Sequence, residues 1–271
     1  MNFNYSTLNV SLCPKTRSVR VALNRPENQN TINIEMLFEL ESLFGWLTTH
    51  LEVNAVVLTG EGDTFSAGFD QEELKIMSEE KMQKYLIRFQ KIIAGMLSLP
   101  QTIICDLKNG AAGMGIELSS GADVRIMRSS GKLEFNSLKK GWVPCSGGVG
   151  LLGFWVGHAK ARSWTLCSST IDGAEALNSG YCLSSYANAE DALTPLLTNI
   201  AAQAAVARIQ TKRSFLEAIM PELTRSFEYE TIFSFAALKT QDWKKDQESE
   251  DFIAARDMAK LLKDSAQAPV L

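Results

Sequence analysis

Two stretches of this chain share one plan. Ala55-Val56-Val57-Leu58-Thr59 is a short apolar run that stops at Gly60-Glu61-Gly62-Asp63 and leads into Thr64-Phe65-Ser66-Ala67-Gly68-Phe69-Asp70-Gln71-Glu72-Glu73-Leu74. Thr102-Ile103-Ile104-Cys105-Asp106-Leu107 leads likewise into Asn109-Gly110-Ala111-Ala112-Gly113-Met114-Gly115-Ile116-Glu117-Leu118. In each, a buried-type strand opens into a small-residue turn and then a helix. Small residues let a ligand approach the backbone closely. The helix start supplies unpaired N–H groups and a positive dipole end. Two such turns side by side aim two amides at one carbonyl oxygen, which stabilises an enolate or a tetrahedral oxyanion. A plainer reading stands beside this one. Asp70 with Glu73 reads as a helix N-cap with a capping box, and Gly113-Met114-Gly115 as close packing of helix on strand. A phosphate-cradling loop is disfavoured, because no Lys-Ser/Thr follows.

The flanking sequence repeats the β-then-α order. Val19 to Leu23 reads as a strand ended by Asn24-Arg25-Pro26. Ile34 to about His50 carries apolar residues at Met36, Leu37, Leu40, Leu43, Phe44 and Leu47, a helical period. Glu79 to Leu99 is a second amphipathic helix, stopped by Pro100, and Val124 to Met127 is a further strand. This order predicts an α/β architecture with parallel strand pairs. After about Ala192 only helical patterning remains, over Ala201 to Leu216, Ser226 to Leu238 and Glu248 to Lys263. No Gly/Ser/Pro-rich linker marks the junction. We therefore read residues 1–192 as the core and 193–271 as a helical region packed onto it or onto a neighbouring subunit.

Composition limits the alternatives. A formal net charge of -4 and a pI near 5.4 do not suggest a nucleic-acid partner. The N-terminus lacks a signal-like apolar segment, and no run approaches the roughly 18 apolar residues of a membrane span. The five cysteines form no CxxC pair and only two histidines are present, so no metal site is expected. We expect a cytoplasmic protein with reduced thiols.

Several segments, in order, resemble the crotonase (enoyl-CoA hydratase/isomerase) superfamily. Leu23-Asn24-Arg25-Pro26-Glu27-Asn28-Gln29-Asn30 is similar to LNRPExxN, and Val56 to Gly60 with Phe65 to Asp70 to VVLTG…FSAGxD. Gly113 to Leu118 with Ala122 to Arg125 resembles GxGxEL…ADxR. Gly141 to Gly148 resembles GxxPxxGG, and Ile171 to Leu177 a later IxAxEAL segment. The resemblance implies a spiral of ββα turns with a C-terminal helical region that assembles trimers or hexamers. It implies an acyl-CoA or acyl-carrier thioester as substrate and no separate cofactor.

Carried over by position, the resemblance places the oxyanion amides at Phe69 and Met114. Asn28, Ala67, Gly68, Asp70 and Gly113 fall on the segments that hold the bent coenzyme A chain, and Lys245 and Arg256 near a late helix that meets its phosphates. Hydratases of the family use two glutamates. The first falls on Glu117, one helical turn from Met114. Its plainer role is first-turn dipole stabilisation. The second falls, counting back from Gly141, on Ser137, which family members usually make glutamate. A serine hydroxyl cannot replace a carboxylate as acid or base unaided, though it can hold a water. Cys145 precedes Ser146-Gly147-Gly148 at an expected helix start, where a thiol pKa can be lowered, or it is a small buried filler. The expected activity is that of a hydratase/isomerase-family lyase or isomerase with Glu117 as its single acid/base. A decarboxylase, a thioester hydrolase using Cys145 or a bound water, and a catalytically weak thioester binder remain open.

Overall fold

Strand alternation decides what each face of the main sheet holds. In a computed structural model that describes residues 3–245, β3 (Ala55–Gly60) is buried along its whole length. Val56 and Leu58 face one layer of core, while Ala55 and Val57 face another. A strand covered on both faces reads as a continuous apolar run, as this one does.

The chain order is β1 (Leu8–Cys13), β2 (Ser18–Leu23), α1 (Ile34–Thr49), β3, α2 (Gln71–Ile76), α3 (Glu79–Ser98) and β4 (Thr102–Asp106). β5 (Gly110–Ala112), α4 (Met114–Ser120), β6 (Val124–Arg128) and β7 (Lys132–Glu134) follow. Then come α5 (Gly150–Val156), α6 (His158–Leu166), β8 (Thr170–Asp172), α7 (Gly173–Asn178), β9 (Ser184–Tyr186), α8 (Ala189–Ala201) and α9 (Ala205–Leu238). A six-stranded sheet runs β1-β2-β3-β4-β6-β9, parallel except for the β1–β2 pair. A small sheet of β5-β7-β8 stands beside it. This is the α/β architecture expected, with parallel strand pairs alternating with helices.

Local chemistry fixes the helices. Asn33 caps α1 by accepting the Met36 N–H at 2.9 Å, and Ser78 caps α3. The face of α1 that reads as apolar in sequence, Met36 to Leu47, is the buried one. α8 closes the opposite face of the sheet with Leu193 and Ile200 against Val57, Ile104 and Ile126, and runs across residue 192.

Two expectations are corrected. The separate helices over Ala201 to Leu216 and Ser226 to Leu238 are one helix, α9, which continues through Pro221. Proline removes one backbone donor but the remaining bonds and the packing on α3 and α5 carry the helix past it. The expected helix start at Cys145 is also displaced: α5 begins at Gly150, so Cys145 lies in a loop. The segment Glu248 to Lys263 lies outside the described residues.

Candidate active site

The two glycine turns meet. Ala112 N–H donates to Ser66 O at 3.0 Å, and Phe65 N–H to Gly110 O at 3.0 Å, stitching the first turn to the second. Ser66 Oγ anchors the first turn by donating to Asn30 O at 2.7 Å and accepting Gly68 N–H at 3.1 Å. Gly68 has φ +91°, and a Cβ there would lie 2.8 Å from Ala112 O and 3.2 Å from Met114 N. Gly113 (φ +48°) opens α4, with Asn136 Oδ1 only 3.1 Å from where a Cβ would stand. Gly115 is a packing glycine, because a Cβ there would strike Ser66 O at 2.5 Å. Gly115 thus follows the packing reading of Gly-Met-Gly, while Gly113 turns the chain into the helix with a positive φ.

Phe69 N–H and Met114 N–H face no acceptor among the described residues. Their neighbours do: Gly113 N–H donates to Glu134 O, and Asp70 N–H to Ile32 O. Two unpaired amides on adjacent turns are suited to bind one oxygen that gains negative charge.

Glu117 is 4% exposed and points at the loop before α5. Its Oε2 accepts the N–H groups of Cys145 (3.0 Å) and Ser146 (2.9 Å). Burial, then the nearby charge of Glu230, pushes its carboxyl up to about 7, against the pull of those two amides. A carboxyl poised near neutrality both takes and returns a proton.

Glu117, Gly113 and Ser137 stand where two narrow cavities adjoin. The first is also lined by Ala67, Phe69, Gln71, Met114, Asn136, Lys140, Trp142, Val143 and Cys145. Among the described residues, no carboxylate other than Glu117 lines either one. Glu134 does not substitute for the glutamate absent at Ser137: it is exposed on β7, with Leu133 the buried residue of that strand. Trp142 stacks on Phe69 (centroids 4.4 Å apart) and meets Trp243 at 5.5 Å, so an aromatic wall closes the cavity. Tyr85 is core behind Phe69, its hydroxyl donating to Ile32 O at 2.9 Å.

The other expected residues divide. Ala67, Gly68 and Gly113 belong to the meeting turns. Asp70 caps α2 through Glu73 N–H (3.1 Å) and pairs with Arg25 at 2.7 Å. Glu73 does not close a capping box on Asp70; its Oε2 accepts the Ile34 N–H at 2.9 Å. Asn28 is exposed on the 3-10 turn Pro26–Asn28 and is not among the residues lining either cavity. Lys245 is exposed and pairs with Asp242 at 2.7 Å, and Arg256 lies outside the described residues. The Cys145 thiol is raised well above its usual range by burial and then by the charge of Glu117, the reverse of an activated thiol. The expected lowering fails because the residue is in a buried loop beside a carboxylate, not at a helix N-terminus.

Sequence reasoning missed Glu230. It is 4% exposed on α9 and accepts Gly147 N–H at 2.7 Å and Gly150 N–H at 2.9 Å.

Residues 16–254 match the sequence profile of enoyl-CoA hydratase/isomerase. The chain belongs to this family, the crotonase superfamily. It is 31% identical over 173 residues to the short-chain-enoyl-CoA hydratase of Clostridium acetobutylicum, covering 64% of this chain and 66% of that one. That alignment spans just under two thirds of the relative's length. The match to the putative enoyl-CoA hydratase/isomerase YhaR of Bacillus subtilis is 26% over 227 residues, 82% of this chain and 88% of that one. Among solved structures, an enoyl-CoA hydratase from Bacillus halodurans superposes with TM-score 0.82 at 20% identity, covering 90% of this chain and 99% of that one. An enoyl-CoA hydratase/isomerase from Mycobacterium paratuberculosis gives 0.83 at 21%, covering 89% and 98%. These two likenesses establish the crotonase fold. Among the described residues, no helix is long and apolar enough to cross a membrane.

Proposed function

We propose that this crotonase-family chain adds water to, or removes it from, an enoyl or hydroxyacyl thioester of coenzyme A or an acyl carrier. The observation that carries the reading is the convergence of two acceptor-free N–H groups, on Phe69 and Met114, beside a buried carboxyl poised near neutral pH. In the hydration direction, Glu117 as carboxylate takes a proton from water while the water oxygen bonds to the β-carbon. The electron pair of the double bond moves to the thioester oxygen, where the two amides hold the enolate. Glu117, now protonated, returns the proton to the α-carbon and the enolate collapses. Ser137 orients the water or the product hydroxyl. Ala67, Gly68, Gly113 and Cys145 shape the acyl and pantetheine path, with Asn28, Asp70, Lys245 and Arg256 on the coenzyme side.

The test is Glu117→Gln against a panel of enoyl-CoA substrates. A fall in kcat of about 10²- to 10⁴-fold is the expected result. Unchanged turnover of every accepted thioester overturns the reading.

One observation favours a second reaction on the same machinery, decarboxylation. Trp142 and Gln71 line the cavity, their Nε1 and Nε2 are buried donors without an acceptor among the described residues, and Lys140 beside them has no ionic partner among the described residues. Leaving buried donors unpaired costs about 1–3 kcal/mol each, so acceptors are expected from a ligand or water. A carboxylated acyl group supplies them. Its loss as CO2 leaves the electron pair as an enolate on the same two amides, and protonated Glu117 completes the α-carbon. CO2 release from malonyl-CoA at a rate above that of enoyl hydration assigns this reaction instead. Coenzyme A binding without turnover of either class assigns a binding role.

Assembly as a trimer or hexamer is proposed on the exposed apolar residues of α9, including Val206 (72%), Phe215 (75%) and Phe233 (59%). Sedimentation of the full chain tests it.

A further inference from the structure

Glu230 is a buried carboxylate for which the proposed reaction has no use, and it is carried by a helix that the sequence assigns to assembly. Helical spacing puts Ser226, Glu230 and Ser234 on one face of α9. That face grips the loop before α5 along its length. Ser234 Oγ donates to Val143 O at 3.3 Å. Glu230 Oε2 accepts Gly147 N–H at 2.7 Å, and Oε1 accepts Gly150 N–H at 2.9 Å and Ser226 Oγ–H at 3.2 Å. Gln90 of α3 ties loop to helix again, its Nε2 donating to Cys145 O and to Phe227 O, both at 3.0 Å.

Glu117 takes the two amides just before those of Gly147 and Gly150, Cys145 N–H and Ser146 N–H, on one oxygen. Two buried carboxylates thus divide one run of backbone amides. The loop's glycines permit this closeness: a Cβ at Gly148 would stand 3.0 Å from Glu117 Cδ, and one at Gly150 would stand 2.4 Å from Ser226 Oγ.

We propose that Glu230 is a positioning residue: from the C-terminal helix it holds the loop whose amides orient Glu117 and sets the charge that Glu117 feels. The proposal rests on the reading of Glu117 as the acid/base group. The titratable or charged groups facing Glu117 are Tyr85 of α3, Cys145 of the loop, Lys140 beside the cavity and Glu230 of α9. Burial first, and nearby carboxylates second, push Tyr85 and Cys145 well above their usual ranges, so both stay neutral near pH 7. Substituting Glu230 changes one of these groups and leaves the others.

Two variants separate charge from reach. Glu230→Gln keeps the reach and removes the charge, with one oxygen left to accept a loop amide where Glu230 has two, so the limb of the kcat–pH profile set by Glu117 moves to lower pH by about half a pH unit or more. Glu230→Asp keeps the charge and cannot span both Gly147 and Gly150. It lowers kcat between about tenfold and a hundredfold and leaves the limb in place. In both, KM stays within about threefold of wild type.

A readout independent of turnover accompanies them. In protein carrying ¹³C-carboxyl glutamate, the Glu117 resonance is assigned by its loss in Glu117→Gln, and its titration midpoint falls in Glu230→Gln. In the wild-type protein the Gly147 and Gly150 amides exchange with solvent as slowly as those of β3. Fast exchange of those two amides overturns the proposal, as does a Glu117 titration that Glu230→Gln leaves unmoved. If the titration moves while Glu117→Gln retains full turnover, the positioning role stands and the acid/base reading of Glu117 is the one that fails.

Discussion

Glu117 and Glu230 divide the amides of one segment: Cys145 and Ser146 of the loop go to the first, and Gly147 of the loop with Gly150 at the start of α5 to the second. One carboxylate comes from the helix after the second glycine turn and the other from the C-terminal helix. Their shared loop places a buried acid beside two free backbone donors. Several consequences can be measured.

The raised Glu117 carboxyl, proposed as the acid/base group, carries a stability cost. Its folded pKa is about 7, above the ordinary glutamate value. The folded state therefore binds more protons than the unfolded one between about pH 4.5 and 7, and stability falls as pH rises through that window. The loss totals on the order of 3 kcal/mol by pH 8. Glu117→Gln removes it. Urea unfolding at pH 5 and pH 8 shows the variant gaining on wild type at the higher pH; an equal difference at both refutes the sign.

Asp70 works in the opposite direction. Burial raises its carboxyl, but the Arg25 hydrogen bond, the Glu73 amide and the Arg25 charge together outweigh that and bring it below the usual range. Its contribution is present above the unfolded pKa and lost as pH falls through the folded one. Asp70→Asn destabilises the protein by about 1–3 kcal/mol near neutrality. The deficit narrows below about pH 4. Thermal melts across that range check it.

Gly68→Ala forces a side chain into a left-handed backbone, 2.8 Å from Ala112 O. The strain costs about 1–3 kcal/mol and shifts the turn that carries Phe69 N–H. The kinetic loss should fall on kcat more than KM, because the amide acts on developing charge. Equal kcat in a folded variant contradicts that placement.

Much of this was readable in the sequence, for identifiable reasons. β2, β3, β4 and β6 are buried runs, and α1 and α3 carry clear caps and periods, so local chemistry suffices. Ser137 is found by counting back from Gly141 once the motif is seen. The strands of the small sheet span three residues each, too few for alternation to register. Glu230 was illegible for a different reason. A polar stripe of Ser226, Glu230 and Ser234 on a helix reads as a solvated face, and only tertiary packing turns it inward. The direction of the Cys145 shift likewise depends on burial and on Glu117, a residue remote in sequence.

Ser137→Ala tests how far the reaction relies on one carboxylate. With Ser137 only orienting a water, kcat falls by about tenfold or less, far less than for Glu117→Gln. Comparable losses in the two variants show that Ser137 does more.

The central claim is that the Phe69 and Met114 amides and Glu117 act on one thioester. Its most direct measurement is the infrared carbonyl stretch of a ¹³C-labelled acyl-CoA bound to wild type and to Glu117→Gln, alongside turnover. The account predicts that the stretch moves to lower frequency on binding in both proteins while turnover collapses in the variant. A carbonyl stretch that binding leaves unchanged, or a Glu117→Gln protein that turns over as wild type does, contradicts it.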